Sequence, residues 1–221
     1  MQFNPWTGRD CRYGKNMQAT HHWTMICTGL LAGISTITGW ASEDRPLPTP
    51  TPRPNILFIL GDDLGYGTLG CNGSESCKTP NLDKLAAGGV RFTNAHAMPI
   101  CTPTRVQLMT GQYNFRNYKR FGEMSAGEIT FGNLLRDAGY TTCIAGKWQL
   151  GGNHDSIRAF GFDTYCLWNF MGRGAQYWGS EIWENGKKRN DIADRFGPDI
   201  HVDHLLKFLD LQTKDKPFLA Y

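Results

Sequence analysis

The 221-residue chain lacks the features that would assign it to several large functional classes. It has no sustained run of like charge: 23 basic and 20 acidic residues give a formal charge of +3. Most of that excess is Arg9, Arg12 and Lys15, which share the extreme N-terminus with Asp10. The remainder is close to neutral, so no basic face argues for a nucleic-acid partner. The uncharged, mainly apolar run from Met25 to Ala41 is too short, and too interrupted by Ser, Thr and Gly, to span a membrane. The Gly-rich segment 65–73 lacks the Gly-Lys-Ser/Thr ending of a Walker loop. No internal repeat is found. With 40% hydrophobic, 12% aromatic and only 19% charged residues, the chain is excluded from the disordered class and should fold around a core. Its length suits one ordinary domain or an incomplete piece of a larger one.

The run that fails as a membrane span ends at Gly39-Trp40-Ala41, with small residues where a signal peptidase reads. Residues 1–41 are therefore expected to be an export leader, and the protein to be periplasmic or extracellular with no stable membrane anchor. A buried N-terminal helix is the alternative. Initiation at Met17 or Met25 would shorten the polar stretch that precedes the run. Residues 42–54 repeat proline and read as an extended linker. The folded domain, 55–221, is expected to begin near Asn55.

Asn55-Ile-Leu-Phe-Ile-Leu60, ended by Gly61, predicts a strand buried on both faces, with Asp62 and Asp63 on the loop at its C-terminal end. Open α/β sheets bind ligands at that edge. Leu82, Leu85 and Ala86 are at helical spacing before Gly88-Gly89, and Val90–Thr93 reads as a strand. A helix is predicted over 105–110, and another capped by Thr130 and closed by Gly139. Tyr140–Ala145 is β-branched and predicts the next strand, with Lys147 just beyond it. An amphipathic helix follows over 199–211, with Ile200, Leu205, Phe208 and Leu209 on its apolar side, and then a strand from Pro217. Residues 160–196 read as loops and short strands. Alternating strands and helices imply an α/β fold with a mostly parallel sheet.

Several residues could carry chemistry. Adjacent carboxylates such as Asp62-Asp63 suit Ca²⁺ or Mg²⁺, though a bare Asp-Asp is more often a solvated turn. Cys101, before a helix and near Arg105, is placed for a lowered thiol pKa; the competing reading is a buried structural thiol. Lys147 would reach an anion at the same sheet edge, unless it is an ordinary surface lysine. His201 and His204 are spaced like metal ligands, but the solvated side of the last helix is the commoner place for such a pair.

Taken in order, these segments resemble one family. Arg53-Pro-Asn-Ile-Leu-Phe-Ile-Leu-Gly-Asp-Asp-Leu-Gly-Tyr-Gly67 is similar to the opening strand and metal loop of the formylglycine-dependent sulfatases. The block 78–94 continues the likeness, Cys101-Thr-Pro-Thr-Arg105 with Leu108-Met-Thr-Gly111 resembles the modification motif, and Ala145-Gly-Lys-Trp148 and Gly161-Phe-Asp163 follow. The resemblance covers residues 53–221, the N-terminal portion of an arylsulfatase-like protein, and implies an alkaline-phosphatase-like core truncated at its C-terminal end.

It also implies a mechanism. A maturation enzyme oxidises Cys101 to formylglycine, whose aldehyde hydrates. One hydroxyl attacks the sulfur of a sulfate ester on a carbohydrate or aryl group, the alcohol leaves, and the second hydroxyl expels sulfate and restores the aldehyde. Asp62, Asp63 and the modified Cys101 would hold the cation, Arg105 the diol oxygen, and Lys147 the sulfate charge. Setting aside Cys101, and Cys11 and Cys27 of the leader, four cysteines remain: Cys71, Cys77, Cys143 and Cys166. They permit three disulfide pairings.

The chain departs from the pattern at Gln149, where the family commonly has a histidine; glutamine hydrogen-bonds but is no base at neutral pH. Thr68 and Thr104 are milder departures. The strand at 216–221 leads in the family to a histidine, an Asp-Asn metal pair and a second lysine. A chain of these residues alone is therefore expected to bind metal weakly, to be poorly stable and to turn over little. The competing readings are a phosphatase or phosphodiesterase of the same superfamily using an unmodified residue 101, and a truncated, non-catalytic exported protein.

Overall fold

The computed structural model describes residues 53–170 and 174–221; the leader and all of the linker but Arg53 and Pro54 lie outside them. The fold is organised by β2 (Thr141–Lys147), whose Thr142, Cys143 and Ile144 are buried. Parallel partners flank it, β3 (Thr164–Trp168) on one side and β6 (Phe218–Ala220) on the other. Beyond β6 lies β1 (Ile56–Leu57), also parallel. Beyond β3, an antiparallel hairpin of β4 (Ile182–Glu184) and β5 (Lys187–Lys188) extends the sheet, giving the order β1-β6-β2-β3-β4-β5. The expected parallel sheet is thus present, with an antiparallel edge.

Strand periodicity divides the core between the two faces. Ile144, Tyr165, Leu167 and Leu219 point to one side, where they pack with Val106 and Met109 of α2 (Cys101–Thr110), Leu135 of α4 (Phe131–Asp137) and Ile157 of α5 (His154–Ala159). Trp148, Phe160 and Phe162, each 2% exposed or less, complete that layer. Each such side chain contributes about 1.5–3 kcal/mol by burial. Cys143, Cys166 and Ala220 point the other way, beneath α6 (Gly197–Asp210), whose Ile200 and Phe208 cover them. The other α-helices among the described residues are α1 (Pro80–Ala87) and the one-turn α3 (Asn114–Asn117).

Three expectations need correction. The first strand is not buried on both faces: β1 is the edge of the sheet among the described residues, and Leu57 and Ile59 are 58% and 70% exposed. Val90–Thr93 is not a strand. Val90 and Phe92 stand 82% and 78% exposed, and β propensity without a covering neighbour does not make a ladder. The helix expected before Gly88 is α1, with Leu82 and Leu85 on its exposed side. Finally, His204 is not on a solvated side. The buried stripe of α6 is Gly197, Ile200, His204 and Phe208, and His201 is half-buried beside it.

Candidate active site

The C-terminal edge of the parallel strands collects the residues singled out in the sequence. At α2, Ile100 is extended and Cys101 is the first helical residue; Gly111, at φ +65, ends the helix. Val106 and Met109 anchor α2 in the core, and Thr102 fixes its first turn by accepting the Gly122 N–H at 3.0 Å. Arg105, one turn after Cys101, therefore lies against the sheet at only 6% exposure. Its Nη1 donates to the carbonyl of Lys147 at 2.6 Å, and its Nη2 is 3.8 Å from Asp62 Oδ2.

Lys147 ends β2 and gives its ammonium to the same Asp62 oxygen at 2.5 Å, while passing 5.9 Å from the Trp168 ring centre. Side chains then alternate. Trp148 turns into the core and Gln149 turns back, held by its backbone N–H to the Asn169 carbonyl at 3.0 Å. The Cys101 thiol donates to Gln149 Oε1 at 2.7 Å. Asp63, Gln149 and Asn169, in the turns after β1, β2 and β3, all adopt left-handed backbone, with φ of +55°, +53° and +54°. Non-glycine residues avoid that region unless the surroundings hold them there.

Two cavities meet at this edge. One, of about 460 Å³, is lined by Asp62, Asp63, Cys101, Thr104 and Arg105. The other, about 410 Å³, is shared by Asp62, Arg105, Lys147, Trp168, His201 and Tyr221. A larger cavity of about 590 Å³ beside α1 lies away from these residues; its one carboxylate, Asp83, already accepts from the Cys71 N–H and the Thr79 hydroxyl. All five described cysteines carry free thiols. Burial pushes Cys143 and Cys166 up to about 12, with each also facing a neighbouring group of like tendency, Cys166 and Glu184 respectively.

For a hard divalent cation the donor set is in part present. Asp62 and Asp63 are oxygen donors lining the same cavity as Cys101, against the roughly six to eight oxygens that Ca²⁺ takes. Asp62 Oδ2 is meanwhile neutralised by Lys147 and Arg105. Of the lining residues, Trp168 and Tyr221 carried no sequence signal as site residues, and His201 was singled out only as half of a metal-spaced pair with His204. Their meeting depends on β3, α6 and the end of β6 coming together, which local pattern does not report.

An α/β sheet that delivers two carboxylates, a lysine and a cysteine-bearing helix to one edge defines an alkaline-phosphatase-like architecture, shared with the solved structures of Ps i-CgsB (28% identity, TM-score 0.69, 76% of this chain and 44% of that one) and of BT4656 in complex with its substrate D-glucosamine-2-N,6-O-disulfate (31%, 0.68, 76% and 33%). Residues 54–221 match the model of the Sulfatase family, and the chain belongs to that family. It is 32% identical to N-acetylglucosamine-6-O-sulfatase of Bacteroides thetaiotaomicron over 181 residues, 80% of this chain and 31% of that protein. Human steryl-sulfatase is 46% identical over 126 residues, 51% of this chain and 21% of that protein. The chain thus spans about a fifth to a third of the curated relatives it matches.

Proposed function

We propose that this chain is the N-terminal catalytic part of an exported sulfuric ester hydrolase that acts on a sulfated carbohydrate or aryl sulfate. The observation that carries this reading is the joint placement of Cys101 at the start of α2, Arg105 one turn on, and Asp62 between Arg105 and Lys147. In this reading a maturation enzyme converts Cys101 to formylglycine. Asp62, Asp63 and the modified residue hold Ca²⁺ or Mg²⁺, which supplies Lewis acidity toward sulfate oxygens. Arg105 offers fixed N–H donors to the nucleophilic oxygen, and Lys147 offsets charge on the bound sulfate. Gln149, already hydrogen-bonded to the residue 101 side chain, orients it without exchanging a proton. Sulfated sugar as the substrate class is favoured by the relative that shares 80% of this chain, an N-acetylglucosamine-6-O-sulfatase.

Mass spectrometry of the Cys101 peptide after co-expression with a formylglycine-generating enzyme tests the reading. An aldehyde in place of the thiol is expected; a peptide that remains entirely unmodified overturns it and leaves the phosphoesterase and non-catalytic alternatives.

A further inference from the structure

Beneath α6, and toward the end of β3 opposite Lys147, three ligand-type side chains converge that the proposed activity does not use. Cys166 of β3 and Glu184 of β4 are register partners, so their side chains leave the same face of the sheet. His204, in the buried stripe of α6, comes down onto them. The Cys166 sulfur, a Glu184 oxygen and a His204 nitrogen all lie within 4.8 Å of one another. Cys166 is fully buried and His204 is 8% exposed, while Glu184 reaches solvent.

The hydrogen-bond pattern around His204 places one positive charge, a proton or a metal ion, between its imidazole and the Glu184 carboxylate. Asn185 Oδ1 accepts the Tyr165 N–H at 2.8 Å, so it is an acceptor and also takes the Thr164 hydroxyl proton at 2.9 Å. Thr164 Oγ1 then has only lone pairs to offer His204 Nε2 at 3.4 Å, which makes Nε2 the protonated nitrogen. Nδ1 faces Glu184 Oε1 at 3.1 Å, so a positive charge belongs between them, either a second proton on the imidazole or a metal ion. A metal ion there takes the place of that proton. Arg189 holds the other carboxylate oxygen at 2.5 Å and so aims Oε1 at the imidazole. Thr164 and Arg189 thereby stand where outer partners of metal ligands stand, behind the ligating histidine and carboxylate.

We propose that Cys166, Glu184 and His204 form a three-ligand site for a divalent metal of the zinc class, separate from Asp62 and Asp63. Mixed sulfur, nitrogen and oxygen donors select Zn²⁺ over Ca²⁺ or Mg²⁺. Metal–ligand bonds of about 2.0–2.3 Å put ligand atoms roughly 3.5 Å apart; the His204–Glu184 pair, at 3.1 Å, is near that spacing, and the sulfur lies within 4.8 Å of both. As the metal–sulfur bond forms, the Cys166 thiol proton leaves to solvent along the exposed Glu184 side. The ion would tie β3, the β4–β5 hairpin and α6 together, and a fourth position remains for water.

Titrating the reduced full chain with Co²⁺, followed by Zn²⁺ competition, reads this out. One equivalent should give thiolate-to-cobalt charge-transfer absorption in the near ultraviolet, displaced by Zn²⁺. The band should vanish in Cys166→Ser, weaken in affinity by about tenfold or more in His204→Gln and Glu184→Gln, and persist in Cys71→Ser. Glu184→Gln changes a partly exposed, isosteric side chain, so it guards against a folding defect, and Zn²⁺ should raise the Tm of the unaltered chain by more than that of this variant. No band in the unaltered chain, a band that survives Cys166→Ser, or an equal Tm rise in Glu184→Gln overturns the proposal.

Discussion

At the scale of single residues, the site turns on Asp62. One of its oxygens serves Lys147 at 2.5 Å and Arg105 at 3.8 Å, and both cations are largely removed from water, with side chains 13% and 7% exposed. Removing the shared anion leaves two uncompensated charges rather than one. Asp62→Asn is accordingly expected to destabilise the chain by about 3 kcal/mol, because breaking a buried pair from one side costs more than the pair is worth. Urea unfolding of the two proteins measures it, and an unchanged midpoint would show that the cations are adequately solvated. The pairing of Cys101 with Gln149 belongs to this scale too. The sequence announced both residues and the departure from histidine, but only the left-handed turn at Gln149 shows how an uncharged amide is aimed at the thiol.

At the scale of elements, the Gly161-Phe-Asp163 segment shows why a short motif can be structural. Gly161 sits at φ +90, and a Cβ there would lie 2.1 Å from the Asn133 backbone nitrogen and 2.2 Å from the Gly132 carbonyl carbon. The bend lets α4 lie directly on the β3 approach, where Thr130 caps α4 and also donates to the Phe160 carbonyl at 2.6 Å. Gly161→Ala thus meets both a steric and a backbone penalty, and is expected to cost more than about 3 kcal/mol, read as a Tm fall of ten degrees or so. Elements with a local cause were legible beforehand: the Thr130 cap, the β-branched run of β2, the periodicity of α6. The faces they bury were less so. His204 stands four residues from both Ile200 and Phe208 and so belonged to the apolar stripe by position. Its polarity argued the other way, and only the placement of Cys166 and Glu184 under α6 explains why it is inside. Val90–Thr93 failed for the complementary reason, since a strand needs a neighbour that local sequence does not supply.

For the molecule as a whole, stability should depend on pH through His201. Removal from water, reinforced by His204, depresses its pKa from 6.5 to about 4, despite its hydrogen bond to the Cys166 carbonyl. The native chain keeps this imidazole neutral where the unfolded chain takes up a proton. Its contribution is therefore complete above pH 6.5 and is lost as pH falls toward 4. With chelator present, the urea midpoint should drop between pH 7 and pH 5, and His201→Gln should flatten that dependence. The order of motifs made the family visible in the sequence, and the sheet edge that gathers Asp62, Arg105 and Lys147 agrees with it. The second cavity wall, where His201 meets Trp168 and Tyr221, was not visible, since it depends on α6 and the end of β6 coming back beside β3.

The left-handed turns at Asp63, Gln149 and Asn169 have an evolutionary consequence. Glycine is the more comfortable occupant of each, so Asn169→Gly should hold or raise the Tm, by the equivalent of up to about 1 kcal/mol, as thermal unfolding would register. Selection for heat resistance alone would then drift these three positions toward glycine and erase two of the side chains that face Cys101 and its cavity. With side chains at all three positions, this chain surrenders some robustness at the rim of the sheet to a fixed geometry there.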